Sequence, residues 1–235
     1  MDGHINSGSR FNAHGRRISA DVMRECLKVY LVVGSANCQD DPLYVVREAL
    51  AGGATMVQYR EKGDGSLTGE ARIQLGLQLQ ELCREAGVPF IINDDVELAL
   101  QLQADGVHIG QEDADAGWVR SGIGGGILGV SVHQLEEAER AVQQGADYLG
   151  IGPIYPTSSK PDAHAVHGLQ ILPGLRQAGI HLPLVGIGGI TLERAGEVIS
   201  AGADGIAVIS AVAGLPGDKV QNAVQQLRTR INRSG

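Results

Sequence analysis

The 235-residue chain is poor in aromatic residues, cysteine and positive charge, and it has no long apolar run. Aromatic side chains make up 3% of it, so the core must be built from aliphatic residues. Ala, Val, Ile, Leu and Gly dominate, a composition that suits a buried parallel sheet with helices packed close on it. The three cysteines, Cys26, Cys38 and Cys83, are odd in number, widely spaced and without a CxxC pair. Neither a disulfide framework nor a zinc site is indicated. Reduced thiols in a cytoplasmic protein are the expectation. No apolar run approaches the roughly 20 residues that cross a bilayer, and the N-terminus lacks the apolar core of a signal peptide. The net charge of −8 argues against nucleic acid or an anionic membrane as partner. An anionic substrate must therefore meet a local cluster of cations or a metal.

What is present is alternation. Met1 to Arg17 is polar, without period, and reads as a mobile extension outside a single domain of residues 18–235. A short leading helix over Ile18 to Leu27 precedes an apolar strand, Val29 to Val33. Asp41-Pro42 opens a helix, with Asp as cap and Pro at the first position, and Gly52-Gly53 closes it. Thr55 to Tyr59 is a β-rich run. Gly69 to Gly87 is ambiguous: Ile73, Leu75, Leu77 and Leu79 alternate like a strand, but length and composition favour a helix. Further strands are expected at Phe90 to Ile92, Gly106 to Ile109, Ile127 to Val130, Tyr148 to Ile151, Leu184 to Ile187 and Gly205 to Ile209. Ala51-Gly-Gly-Ala-Thr, Gly145-Ala-Asp and Gly202-Ala-Asp recur between a helix and a strand, and Gln103-Ala-Asp is a fourth copy lacking the Gly. Eight strand-helix units at this length fit a closed (β/α)8 TIM barrel better than the alternative, an open doubly wound sheet.

Pro89 to Asp113 carries the clearest chemistry. Two strands joined by a helix each end in acid, Asp94 after the first and Asp113 after the second. The connection makes the strands parallel, so both carboxylates leave the same edge of the sheet. Neighbouring strands are about 5 Å apart, so the pair could share a hard cation such as Mg²⁺. A lone Asp after a strand is more often a helix cap, the role expected of Asp95. The other strand ends supply Gln58, Arg60, Lys62, Asn93, His108, Ser131 and His133, with Thr157, Ser159 and Lys160 on a long loop. Gly188-Gly189 before a helix starting at Thr191, together with Ile209-Ser210, read as a phosphate site after strands seven and eight. The bland readings are a tight turn for the glycines, a solvated turn for Arg60-Glu61-Lys62, a helix cap for Ser131 and a barrel-lining residue for His108. Two anion pockets, one metal and no obvious nucleophile suit the joining of two phosphorylated molecules with diphosphate as leaving group.

Five blocks carry a family resemblance: Gln58-Tyr-Arg-Glu-Lys62, Ile92-Asn-Asp-Asp95, Gly106-Val-His-Ile-Gly-Gln-Glu-Asp113, Gly150-Ile-Gly-Pro-Ile-Tyr-Pro-Thr157 and Val185-Gly-Ile-Gly-Gly-Ile190. In this order they resemble the signature blocks of the thiamine phosphate synthases. The resemblance implies an Mg²⁺-assisted transferase that joins a hydroxymethylpyrimidine diphosphate to a thiazole phosphate by a dissociative route. It implies that Gln58, Tyr59, Arg60, Glu61, Lys62, Asn93, Ser131 and Lys160 bind the pyrimidine diphosphate, with Arg60, Lys62, Ser131 and Lys160 catalytic. Asp94 and Asp113 would hold the metal. Thr157, Ser158, Ser159, Gly189, Ile209 and Ser210 would hold the thiazole phosphate. Ser159 departs from the family, which usually has Thr there; the hydroxyl is kept. Two small-molecule substrates are the partners so implied, and a homo-oligomer is compatible with them. The rivals are a thiazole tautomerase or binding module of the same superfamily, which needs no diphosphate site, and a sugar-phosphate isomerase, which needs a positioned base.

Overall fold

The computed structural model describes residues 17–157 and 166–234. Eight parallel strands close into a barrel in sequence order, with β1 paired to both β2 and β8. They are β1 (Val29–Val33), β2 (Met56–Tyr59), β3 (Phe90–Asn93), β4 (Gly106–Ile109), β5 (Ile127–Val132), β6 (Tyr148–Ile151), β7 (Leu184–Ile187) and β8 (Gly205–Val208). The helices described are α1 (Ala20–Leu27), α2 (Pro42–Gly52), α3 (Gly69–Ala86), α4 (Val96–Leu102), α5 (Ala116–Ile123), α6 (Leu135–Gln143), α7 (Ile171–Gln177), α8 (Leu192–Ser200) and α9 (Gly217–Asn232). Among the described residues no helix is long and apolar enough to cross a membrane.

Strand alternation sorts the core into two shells. Val29, Leu31, Val57, Phe90, Val107, Leu128 and Leu149 face outward under the helices. Tyr30, Val32, Met56, Ile91, Ile127, Tyr148 and Val185 fill the barrel interior, and Met23 and Leu27 of α1 plug its lower end. α3 resolves the ambiguous stretch. Leu75, Leu79 and Cys83 are buried at helical spacing, whereas Leu77 is 41% exposed. α9 lays the stripe Val220, Val224, Leu227 and Ile231 on the barrel and α2. Each such burial contributes about 1.5–3 kcal/mol.

The repeated Ala-Asp before a strand has a structural cause. Asp147 accepts hydrogen bonds from the Leu128 amide at 2.8 Å and from Arg120 at 2.5 Å. Arg120 in turn donates to the Gly145, Gly124 and Gly126 carbonyls. Asp204 repeats this with the Leu184 amide and Arg176, and Arg176 donates to the Gly202, Ile180 and Leu182 carbonyls. Each unit locks a strand start to the helix end before it. Gln103 stands in left-handed backbone, φ 53°, where the other copies use Gly145 and Gly202. Arg17, assigned by sequence to the extension, is tied to Asp147 at 2.8 Å and to the Ala146 carbonyl at 2.9 Å; residues 1–16 lie outside the described residues.

Candidate active site

The strand ends surround a cavity of about 590 Å³ at the C-terminal mouth. Arg60, Lys62, Asn93, Asp94, Asp113 and Ser131 line one side, and Pro156, Thr157, Gly188, Gly189, Ile209 and Ser210 the other. Arg60 is only 6% exposed although it lines the cavity, so its charge is largely shielded from bulk solvent. Lys62 forms an ion pair with Asp94, which also accepts from the Asn93 amide at 2.7 Å. Asp94 has φ 61°, a left-handed conformation costly for a residue with a side chain. Its amide is held by the His108 carbonyl at 2.7 Å. Partial removal from water, and the hydrogen-bonded Asp94 carboxyl, push the Asp113 carboxyl up, against the pull of the Gly110 N–H at 2.7 Å. Two carboxyls in mutual contact are a donor set for a hard cation. Among the described residues no three His, Cys, Asp or Glu gather as a metal-ion group. The pair would thus need further oxygens from substrate and water, as Mg²⁺ commonly takes. Asp95 takes the helix-cap role expected of it, accepting from the Leu98 amide at 2.8 Å.

On the opposite side Gly188 and Gly189 have φ 97° and 62°. A Cβ on either would collide with Pro153 or with Pro156 and Tyr155 of the β6 loop. Both glycines are required by this close approach, which leaves bare backbone in front of α8. A helix start of this kind favours an anion.

Not every expected residue reaches the cavity. Tyr59 faces outward, stacked on Phe90 at 6.3 Å with its hydroxyl donating to the Arg72 carbonyl at 3.0 Å. Glu61 accepts from the Ser35 and Leu67 amides at 2.9 and 2.8 Å and clasps two loops. Gln58 is buried beneath the floor, donating to the Tyr30 hydroxyl at 2.7 Å. β5 runs two residues past Val130, so Ser131 pairs with Gly150 inside the sheet and is no helix cap; α6 is preceded by Gln134. Ser158, Ser159 and Lys160 lie outside the described residues.

Sequence reasoning missed three features. Arg194 lines the glycine-cradle side, seated 4.5 Å over the Tyr155 ring and donating to the Gly189 carbonyl at 2.9 Å. Its signal was a cation in the first turn after the glycines. Gln111 donates to the Ser131 carbonyl at 2.7 Å. Tyr30 and Tyr148 join Gln58, His108 and Ser131 in one buried chain. The sign of it was polar residues at inward strand positions.

A closed (β/α)8 barrel whose mouth pairs cations and acids on one side with a glycine cradle on the other is an enzyme scaffold for phosphorylated substrates. The sequence model of the thiamine monophosphate synthase family matches residues 29–212. The chain is similar to a thiamine-phosphate synthase of Bacillus velezensis, 53% identical over 218 residues, covering 93% of this chain and 96% of the relative. A thiamine-phosphate synthase of Bacillus cereus is 58% identical over 196 residues, 83% of this chain and 90% of that one. The structure of a thiamine phosphate pyrophosphorylase from Pyrococcus furiosus superposes with a TM-score of 0.80 at 37% identity, covering 90% of this chain and 98% of that one. The chain belongs to the thiamine monophosphate synthase family, transferases that make thiamine phosphate in thiamine biosynthesis.

Proposed function

We propose that the enzyme joins 4-amino-2-methyl-5-hydroxymethylpyrimidine diphosphate to a thiazole phosphate, each substrate occupying one side of the cavity. The observation that carries this is the division of the mouth into a cation-and-acid side and a glycine-cradle side. Arg60 and Lys62 bind the diphosphate, and Lys62 exchanges its Asp94 partner for a phosphate oxygen. Asn93 orients Asp94. Asp94 and Asp113 hold Mg²⁺, which when bound offsets the negative charge of the diphosphate. Ser131 positions the pyrimidine ring. Gly189, Ile209, Ser210 and Thr157 take the thiazole phosphate. Ser158, Ser159 and Lys160 join these two sets by family resemblance alone, Lys160 as a further diphosphate cation. Gln58, Tyr59 and Glu61 act from behind, shaping the floor and the loops.

The reaction is dissociative. The diphosphate leaves with its electron pair, the pyrimidine-methyl cation is held beside the thiazole, and the thiazole nitrogen closes the new bond. The protein's part is stabilising the leaving group and aligning the acceptor, with no enzyme nucleophile. Supply of both substrates from the cytoplasm suits a chain without a membrane-crossing helix among its described residues. The test mixes protein, both substrates and Mg²⁺ and reads thiamine phosphate by fluorescence after oxidation. Asp94→Ala, Lys160→Ala and metal-free samples run alongside. Product lost in all three supports the assignment; full rate in Asp94→Ala without metal would overturn the metal site.

A further inference from the structure

Beneath the cavity floor, side chains from five strands form one hydrogen-bonded chain. The Gln58 amide of β2 donates to the Tyr30 hydroxyl of β1 at 2.7 Å. Tyr30 and Tyr148 of β6 share a hydrogen bond of 2.9 Å, their rings edge to face at 6.0 Å. The Tyr148 hydroxyl lies 2.9 Å from His108 Nδ1 of β4, and His108 Nε2 lies 2.8 Å from Ser131 Oγ of β5. Gln58, Tyr30, Tyr148 and His108 are buried, and the His108–Ser131 end of the chain lines the cavity. The barrel makes room for this chain. A Cβ on Gly129 would collide with the Tyr148 ring and His108 Nδ1, and one on Gly150 would come within 2.9 Å of the His108 ring.

The direction of each bond follows from counting hydrogens. Tyr30 receives a hydrogen from Gln58, so its own buried hydrogen is satisfied only by donation to its other partner, Tyr148. Tyr148 then has its hydrogen left for His108 Nδ1. His108 accepts at Nδ1 and therefore carries its proton on Nε2, which donates to Ser131 Oγ. Burial pushes both phenols above the usual tyrosine range, so each keeps the hydrogen this wiring needs.

We propose that the Gln58–Tyr30–Tyr148–His108 chain fixes His108 as the neutral Nε2–H tautomer and thereby sets the Ser131 hydroxyl as a hydrogen-bond donor into the cavity. Tyr30, Tyr148 and His108 are positioning residues. A substrate ring presenting an acceptor nitrogen to Ser131 is selected over one presenting N–H. The selection rests on the placement of Ser131 against the pyrimidine ring given above; the tautomer does not.

The tautomer is read directly, from ¹⁵N shifts of the histidine-labelled full chain without substrates. Protonated Nε2 with an unprotonated Nδ1 on His108 is expected at neutral pH; the Nδ1–H form would overturn the proposal. Tyr148→Phe removes the donor to Nδ1 and should give a mixture of tautomers. It should also lower kcat/KM for the pyrimidine diphosphate about tenfold, with KM for the thiazole phosphate unchanged. Tyr30→Phe, one link further back, should act in the same direction and guards against a fold defect peculiar to position 148. In a double-mutant cycle, Tyr148→Phe should add nothing once Ser131→Ala is present. Full additivity would overturn the relay. A shifted tautomer with unchanged kcat/KM would leave the wiring intact and overturn the placement of Ser131 on substrate.

Discussion

At the N-terminal end of the barrel, Asp147 and Asp204 each hold a strand amide and a guanidinium that itself caps three carbonyls. At the C-terminal end, Asp94 and Asp113 are in contact with each other, with Lys62 as the cation paired to Asp94, and Asp94 sits in left-handed backbone. The residue type is the same and the energetic sign is opposite. The lower acids satisfy buried donors and lower the energy of the fold. The upper acids are held in mutual repulsion and strain, which persists only because the surrounding barrel over-determines their positions. Under the proposed function, that local cost leaves two carboxyls and a lysine arranged for a cation and a diphosphate.

The largest expected effect is at the bottom. Asp147→Ala leaves Arg120 and the Leu128 amide without their acceptor. It should cost about 3–5 kcal/mol in urea unfolding, with kcat/KM per folded molecule unchanged. A loss under about 1 kcal/mol would break the contrast between the two ends. Asp94→Gly, at the top, should reverse the pattern. Turnover should fall on the order of 10²–10³-fold, while unfolding free energy rises by about 1 kcal/mol as glycine accepts the left-handed backbone. A less stable variant would mark Asp94 as structural.

Asp113 gives a pH-dependent version of the same contrast. Its folded pKa is raised above the ordinary Asp value. Such a group contributes stability fully present below the unfolded pKa of about 4 and lost as pH rises through the folded value. Asp113→Asn should therefore melt higher than the parent at neutral pH, and the gap should close as pH falls toward about 4. Mg²⁺ should raise the melting temperature of the parent and leave the variant unmoved. Equal melting curves at neutral pH would remove the strain argument. The smallest effect is expected at Arg194, exposed over Tyr155, in contrast to the half-buried Arg176. Arg194→Ala should raise KM for the thiazole phosphate about fivefold, roughly 1 kcal/mol, without altering stability. An unchanged KM would remove Arg194 from the phosphate side.

Much of this was legible in the chain itself. β1, β4, β6 and β7 begin and end where their apolar runs do, and Asp41-Pro42 and Gly53 bound α2 as read. Asp94 and Asp113 were expected at one edge of the sheet because one strand-helix-strand unit fixes their side, and there they meet. Ser131 was misread as following its strand, since nothing in Ser131-Val132 distinguishes a strand end from its continuation. Tyr59 and Glu61 were grouped with Arg60 and Lys62 by the family block they share. Tyr59, however, ends β2 facing outward, and Glu61, in the loop after it, is taken up by the Ser35 and Leu67 amides.

The sequence by itself determined the alternation of strands and helices, the left-handed helix ends and the acids at the strand tips. These depend on local period and short-range turn chemistry. Only the tertiary structure decided that the sheet closes and which face of each strand looks inward. Closure is what brings Tyr30 of β1, Gln58 of β2 and Tyr148 of β6 into one hydrogen-bonded chain. That proximity comes from the register and tilt of strands far apart in the chain, which no local pattern encodes.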